Sequence, residues 1–386
     1  MIWHIYSFDR NLLSVLVPRP DWKRTDFYCG GHMEVGYCES EYEAAMLELL
    51  SSLGWEYSAG NELHRKYSDA LNLDDLRSFL QRRYYDFTPD EWDRIVFNLS
   101  NTRGDTDYLS LRATADLCIN GFTFTRDDPS LPNRHVEYID FENPKANIFR
   151  AVNQLTVREH GSERRPDILL FVNGIPLCII ELKNPAQQNA TVFDAWEQIH
   201  VRYKRDVSSL MKYCLLSVIS DGGTSRLGTT YASFEHYYAW KKVENEENAA
   251  VGLGEMQTLI RGALAPRRFL EILRDFVYFP DVQEGQLRET EIVCRYPQFF
   301  ATQKLYENIL GHLREHGGDG KGGTYFGATG CGKTFTMLFL ARCLIKRTQL
   351  APTILIIVDR EDLETQSGKL FETSTDFLGD ESVRSF

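Results

Sequence analysis

The stretch Arg164–Lys183, RRPDILLFVNGIPLCIIELK, holds three residues suited to chemistry: Asp167, Glu181 and Lys183. Two carboxylates offer hard oxygen ligands to Mg2+, and the metal activates water and stabilises charge developing on a phosphate. A lysine beside them polarises the water or the phosphate. The set suits hydrolysis of a phosphodiester. Glu and Lys are equally ordinary strand-end residues, and so short a pattern recurs by chance.

To act together, the three must reach one face. Ile168–Val172 and Leu177–Leu182 are short, β-branched-rich runs bounded by turn residues. They predict two buried strands joined at Asn173-Gly174 as an antiparallel hairpin. Glu181 and Lys183 are two apart on one strand and share a face. A two-residue loop would set Asp167 opposite Ile180 and leave Glu181 on the other face. A three-residue loop, or a bulge, would set Asp167 opposite Glu181. The chemistry therefore predicts an odd-length connection.

A second pattern lies downstream. Gly327–Thr334, GATGCGKT, fits G-x-x-x-x-G-K-[ST]. In such a loop successive backbone N–H groups and the helix N-terminus cradle phosphates; here that implicates Gly327, Gly330 and Gly332. Lys333 would neutralise the β- and γ-phosphates of ATP, and Thr334 would give its hydroxyl to Mg2+. Cys331 reads as a tolerated small residue. Tyr325–Phe326 before the loop, an apolar helix over Lys333–Lys346 and a strand over Pro352–Val358 predict a β–loop–α–β unit, the opening of a parallel sheet.

The surrounding elements are coarser. Glu39–Gly54 shows an amphipathic pattern through Tyr42, Met46, Leu49, Leu50 and Leu53, a helix ending at Gly54. Glu39 and Glu43 share one of its faces, either solvated or presenting a third acidic group to the metal site. Two helical patterns over Leu71–Asn101 split at Asp86–Pro89, with Thr88-Pro89-Asp90-Glu91 as a helix start. Strands are expected over Val136–Phe141, Ala151–Val157 and Tyr213–Ser220, and a helix over Thr191–Arg205. Gly254–Phe279, broken at Ala265-Pro266, and Phe299–Glu315 read as helical. Met1–Gly36 carries no pattern that places it.

At 386 residues the chain is long enough for at least two cores, and its net charge of −12 excludes a wholly basic nucleic-acid binder. A local basic groove remains open to it, because phosphate contact depends on local charge. Arg164, Arg165, Lys183, Arg202, Lys204 and Arg205 bracket the hairpin and the next helix. The eight cysteines lack paired zinc-like spacing and read as reduced thiols of a cytoplasmic protein. No run has transmembrane length, so no membrane partner is expected.

From Glu39 onward the sequence resembles, in order, the restriction (motor) subunit of type I restriction–modification enzymes. The resemblance is carried by ESEYE with LGWEY, IDFENPKANIF, VNQLTV, RRPDILLFVNGIPLCIIELKNP, AWEQI, LLSVISDG, RYPQFFA, GATGCGKT with TFTM, and VDREDLETQ. It implies an α/β architecture: a PD-(D/E)XK nuclease domain with a mixed β-sheet, here 37–243, then a helical linker over 244–290. The start of a first RecA-like, superfamily 2 helicase domain follows over 291–386, and 1–36 is an extension of unknown role.

Carried onto matching positions, the resemblance makes Asp167 and Glu181 metal ligands, Lys183 the catalytic lysine and Gln198 a further site residue. Lys333 and Thr334 become ATP-site residues, and Gln298 a residue near the adenine. Asp359 and Arg360 match the next motor motif. It implies Mg2+ and ATP as cofactors, and double-stranded DNA with the modification and specificity subunits as partners.

Two departures stand out. The family often carries Gln and Tyr four apart after the lysine, whereas Gln198 and Tyr203 are five apart. By the ~100° α-helical step they lie about 140° apart, which predicts Tyr203 as core on the stripe of Val192, Trp196 and Ile199. The other departure is Met1–His32, which matches nothing in the family and makes Met33 a more natural start. Two further readings are a stand-alone metal-dependent nuclease fused to an NTPase, and a truncated non-catalytic DNA- or subunit-binding fragment.

An ATP motor needs a later acidic strand motif and a second lobe, neither of which the sequence carries. This chain alone should therefore turn over ATP no faster than its Lys333→Ala variant, as a steady-state phosphate-release assay would show.

Overall fold

A six-stranded mixed sheet lies at the centre, in the order β1-β4-β7-β8-β9-β10. Its strands are β1 (Glu56–Ala59), β4 (Phe149–Asn153), β7 (Ile168–Val172), β8 (Ile175–Leu182), β9 (Leu216–Ser220) and β10 (Ser225–Thr229). The computed structural model describes residues 39–183, 191–244, 253–281, 289–315, 321–328, 330–348, 352–356 and 368–379. All of them lie within one compact unit, Tyr37–Phe386. β1 runs parallel to β4 and β8 parallel to β9, while the other neighbours are antiparallel. Every residue of β7 and β8 is buried, as near-continuous apolar strands covered on both faces must be.

The hairpin between β7 and β8 turns through Asn173 (φ 50) and Gly174 (φ 79). Two successive positive φ values make a two-residue turn of the kind whose twist matches the strands. Val172 pairs with Ile175 and Phe171 with Pro176, but Leu170 pairs with Cys178, so Leu177 is an extra residue on β8. The odd-length requirement is thus met by a bulge and not by the loop.

Helix α1 (Glu39–Ser52) buries Tyr42, Met46 and Leu50 and gives way to Gly54 at φ 107. α2 (Leu73–Arg83) and α3 (Pro89–Asn101) follow, α3 opening with the expected Thr88–Glu91 capping box. Glu91 is fully buried and paired with Arg126. α4 (Asp107–Asn120) and the small hairpins β2 (Phe122–Phe124)/β3 (Arg134–Val136) and β5 (Val157–Glu159)/β6 (Ser162–Arg164) were not evident in the sequence.

The strand expected over Val136–Phe141 stops at Val136. Side chains satisfy the backbone beyond it: Asp140 N donates to Asn147 Oδ1, Asn143 N to Asp140 Oδ1, and Asn173 Nδ2 to the Tyr138 carbonyl. The strand expected over Ala151–Val157 ends at Asn153, because Gln154 turns left-handed at φ 51. The strand expected from Tyr213 begins at Leu216.

After the sheet come α6 (Leu253–Leu259) and its π-helical continuation Ile260–Leu264, then α7 (Pro266–Asp275), opened by its proline, α8 (Tyr296–Glu315) and α9 (Lys333–Lys346). The Trp55 indole N–H donates to the Leu264 carbonyl at 2.8 Å, and its ring meets Phe149 and Phe269 edge-on, each at 5.3 Å. At the far end of α7, buried Asp275 accepts from Arg274 and from Arg347 beyond α9, while Arg342 of α9 donates to the Arg274 carbonyl. Residues 321–328 and 352–356 form no strand, which corrects the expected β–loop–α–β unit over its described part. A parallel strand forms only against neighbours that take its backbone hydrogen bonds, and the described residues supply none there. Val358 and its neighbour lie outside the described residues.

Glycine tolerance separates backbone strain from crowding. A Cβ at Gly174 would stand 2.0 Å from the Asn72 carbonyl oxygen, whereas Gly161 (φ 83) has nothing within 4 Å. Gly161→Ala should therefore cost about 1 kcal/mol from φ alone, and Gly174→Ala on the order of 3 kcal/mol. Chemical denaturation of both variants measures the difference.

Candidate active site

Continuing the β7–β8 pairing past Ile168–Ile180 sets Asp167 opposite Glu181. Both are buried. The Leu182 N–H donates to Asp167 Oδ2 at 2.7 Å, tying the carboxylate to the neighbouring strand. Lys183 N donates to the Ser220 carbonyl at 2.8 Å, which extends the β8–β9 ladder and fixes where the lysine emerges. Its Nζ lies 3.1 Å from Glu181 Oε1 and donates to Gln198 Oε1 at 2.8 Å.

The helix after the strand brings a further residue that sequence reasoning placed in the core. α5 (Val192–Glu197) passes into a π-helical stretch, Gln198–Tyr203, before a last α-turn, Lys204–Asp206. A π-helix bonds i to i+5, so residues five apart stack on one face. Gln198 Nε2 donates to Tyr203 Oη at 2.7 Å and also to Glu181 Oε1, while Tyr203 Oη donates to Glu181 Oε2 at 3.0 Å. Tyr203 is buried but is part of the site. The 140° separation assumed a regular α-helix, and the local widening removes it.

Burial and the nearby charge of Asp167 push the Glu181 carboxyl up to about 8, against the pull of Lys183 and Tyr203. An acid held so high between buried polar groups is what a divalent cation relieves. Among the described residues no three His, Cys, Asp or Glu side chains form a metal cluster. Mg2+ commonly takes one or two protein carboxylates and completes its shell with water and substrate phosphate. Asp167 and Glu181 fit that pattern.

Glu43 of α1 reaches the same region. Its Oε2 accepts from Gln154 Nε2 at 2.7 Å, and that nitrogen also donates to Asp167 Oδ1 at 3.2 Å. Gln154 was not anticipated; the end of alternation at VNQ was its only signal. The side chain of Glu39 lies outside the described residues.

The expected basic rim is largely neutralised. Arg164 and Arg205 both pair with Asp206, and Arg202 lies 3.9 Å from Glu197. Lys204 Nζ sits 3.3 Å from the Tyr231 ring centre, with burial pulling its pKa down to about 8. Arg165 stays exposed.

In the glycine-rich loop, Gly330 and Gly332 take φ of 79 and 81, and Gly332 leads into α9, which begins at Lys333. Lys333 Nζ donates to the carbonyls of Gly327 and Ala328 at 2.9 and 3.1 Å, folded back over the loop. Thr334 lies in the first turn of α9. Gln298 is buried, with Oε1 accepting from Arg295 N and Nε2 donating to the Gly332 carbonyl at 3.1 Å. The structure thus puts Gln298 against the loop itself. Asp359, Arg360 and Met1–His32 lie outside the described residues.

The family model described as type I restriction enzyme R protein N terminus matches residues 36–236, and a SWI2/SNF2 ATPase model matches 297–384. Together with the mixed sheet, they define a protein with an endonuclease-like region followed by an ATPase-like one. The chain belongs to the type I restriction enzyme R protein family. It is 31% identical over 364 residues to the type I restriction enzyme HindI endonuclease subunit of Haemophilus influenzae, matching 88% of this chain and 33% of that protein. The type I restriction enzyme SauCOLORF180P endonuclease subunit of Staphylococcus aureus strain COL is 23% identical, over 86% of this chain and 33% of its own. The chain thus spans about a third of the length of these relatives. No helix among the described residues is long and apolar enough to cross a membrane.

The Glu181 shift gives a signed pH effect. Between its usual 4.5 and about 8, folded Glu181 keeps a proton that the unfolded chain releases. Metal-free stability should fall as pH rises through that window, and Glu181→Gln should remove this part of the dependence. Unfolding midpoints of both proteins in EDTA, compared across about pH 5 to 8, report it.

Proposed function

We propose that this chain carries the nuclease centre and the first part of the ATP-driven motor of a type I restriction enzyme. Its substrate is double-stranded DNA, its reaction Mg2+-dependent phosphodiester hydrolysis, and its partners the modification and specificity subunits that choose the sequence. Residues 37–243 would form the PD-(D/E)XK nuclease domain, 244–290 the connection and 291–386 the start of a RecA-like domain. The carrying observation is the bulged β7–β8 register, which sets Asp167 across from Glu181 with Lys183 on the same face.

In this reading Asp167 and Glu181 hold the metal, which when bound activates water and offsets charge on the scissile phosphate. Leu182 N–H fixes Asp167, and Tyr203 with Gln198 fixes both oxygens of Glu181. Lys183, held by Gln198, presents its ammonium to the attacking water or to the phosphate. Lys333, Thr334 and the loop glycines would bind the phosphates of ATP, and the SWI2/SNF2 match supports that assignment.

Plasmid cleavage by the assembled enzyme with ATP and Mg2+ tests the reading. Lys183→Ala should reduce cutting by at least ~10²-fold while ATP-driven translocation, followed by triplex displacement, continues. Normal cutting by that variant would sink the assignment.

A further inference from the structure

Gln154 occupies a costly position next to the carboxylates. It follows β4 at φ 51, a left-handed conformation that glycine adopts freely and a side-chain-bearing residue does not. Its backbone N–H donates to the Asp167 carbonyl at 2.9 Å. Its amide nitrogen donates both to Glu43 Oε2 at 2.7 Å and to Asp167 Oδ1 at 3.2 Å.

Glu43 is buried and accepts from Asn153 Nδ2 at 2.6 Å through its other oxygen; Asn153 Oδ1 in turn accepts from the Tyr57 hydroxyl at 3.2 Å. An ionised carboxylate only accepts. Glu43 therefore forces the nitrogen of the Gln154 amide, and not its oxygen, to face Asp167. With Leu182 N–H on Oδ2, both oxygens of Asp167 are then set by a donor.

Building on the nuclease reading, we propose that Gln154 is a positioning residue for the divalent cation, and that Glu43 orients it and adds negative charge behind Asp167. A turn alone would be served better by glycine. Glu43 is buried with both its oxygens committed to the Asn153 and Gln154 amides. Both features make sense if the amide has to hold Asp167 Oδ1 at one angle while a cation binds. Groups standing behind metal ligands typically change metal affinity about 10–100-fold when removed.

The test uses the full chain with Mn2+ as the probe, its binding followed by electron paramagnetic resonance, alongside unfolding midpoints. Gln154→Gly should unfold at or above the wild-type midpoint, since glycine relieves the positive φ, yet weaken Mn2+ binding about tenfold. Glu43→Gln, which keeps shape and removes charge, should weaken it in the same direction. In the assembled enzyme, saturating Mn2+ should restore cleavage to both variants, which separates positioning from collapse of the fold.

Mn2+ affinity within about twofold of wild type in both variants, with binding lost in Asp167→Ala, overturns this proposal alone. Should Gln154→Gly fail to fold, Glu43→Gln decides. Wild-type protein that binds no Mn2+, or Asp167→Ala that binds it normally, overturns the nuclease reading and this proposal with it.

Discussion

The extra residue at Leu177 is the constraint on which the site depends. Side chains alternate along a strand, so a register error of one moves every later residue to the opposite face. The two-residue turn at Asn173-Gly174 alone would aim Glu181 away from Asp167. The bulge corrects this within the buried centre of the sheet, where slippage is least tolerated. Asn173 holds the turn in place, its side chain bonded to the Tyr138 carbonyl, Asn147 and Ile148 N–H.

A second irregularity answers the first. The π-helical stretch Gln198–Tyr203 absorbs a spacing of five and returns both side chains to Glu181. Bulges and π-stretches both carry one residue more than the regular element needs, and both concentrate where side chains must be re-aimed. Here they converge on one carboxylate. Of its three side-chain partners, Lys183 shares its face by plain strand alternation, while Gln198 and Tyr203 reach it together only because the helix widens.

Much of this was legible in the residues. Two apolar runs with a turn between them specify the hairpin, and alternation alone shows that Asp167 and Glu181 need an odd-length connection. The π-stretch was not legible, because a fixed 100° step applied to Gln198 and Tyr203 yields opposite faces. Gln154 and Asn153 were hidden for another reason: their roles depend on Glu43, distant in sequence and brought near by the parallel β1–β4 pairing. The strand drawn over Val136–Phe141 failed because Asp140, Asn147 and Asn173 take the backbone groups a neighbouring strand would have used.

The contacts of Trp55 and Asp275 bear on how far the chain can be dissected. α7 is anchored at one end by Phe269 against Trp55, and at the other to α9 and the residue after it, by Arg342 on the Arg274 carbonyl and Arg347 on Asp275. A cut before α7 that lets the pieces part would expose the Trp55 indole and its phenyl partners, and one after α7 would take Arg347 away from buried Asp275. Uncompensated buried charge and uncovered aromatic surface are each costly. The stretch between sheet and loop is therefore masonry shared by both neighbours and not mortar between them. A cut placed there yields two damaged halves, whatever the boundaries drawn from sequence.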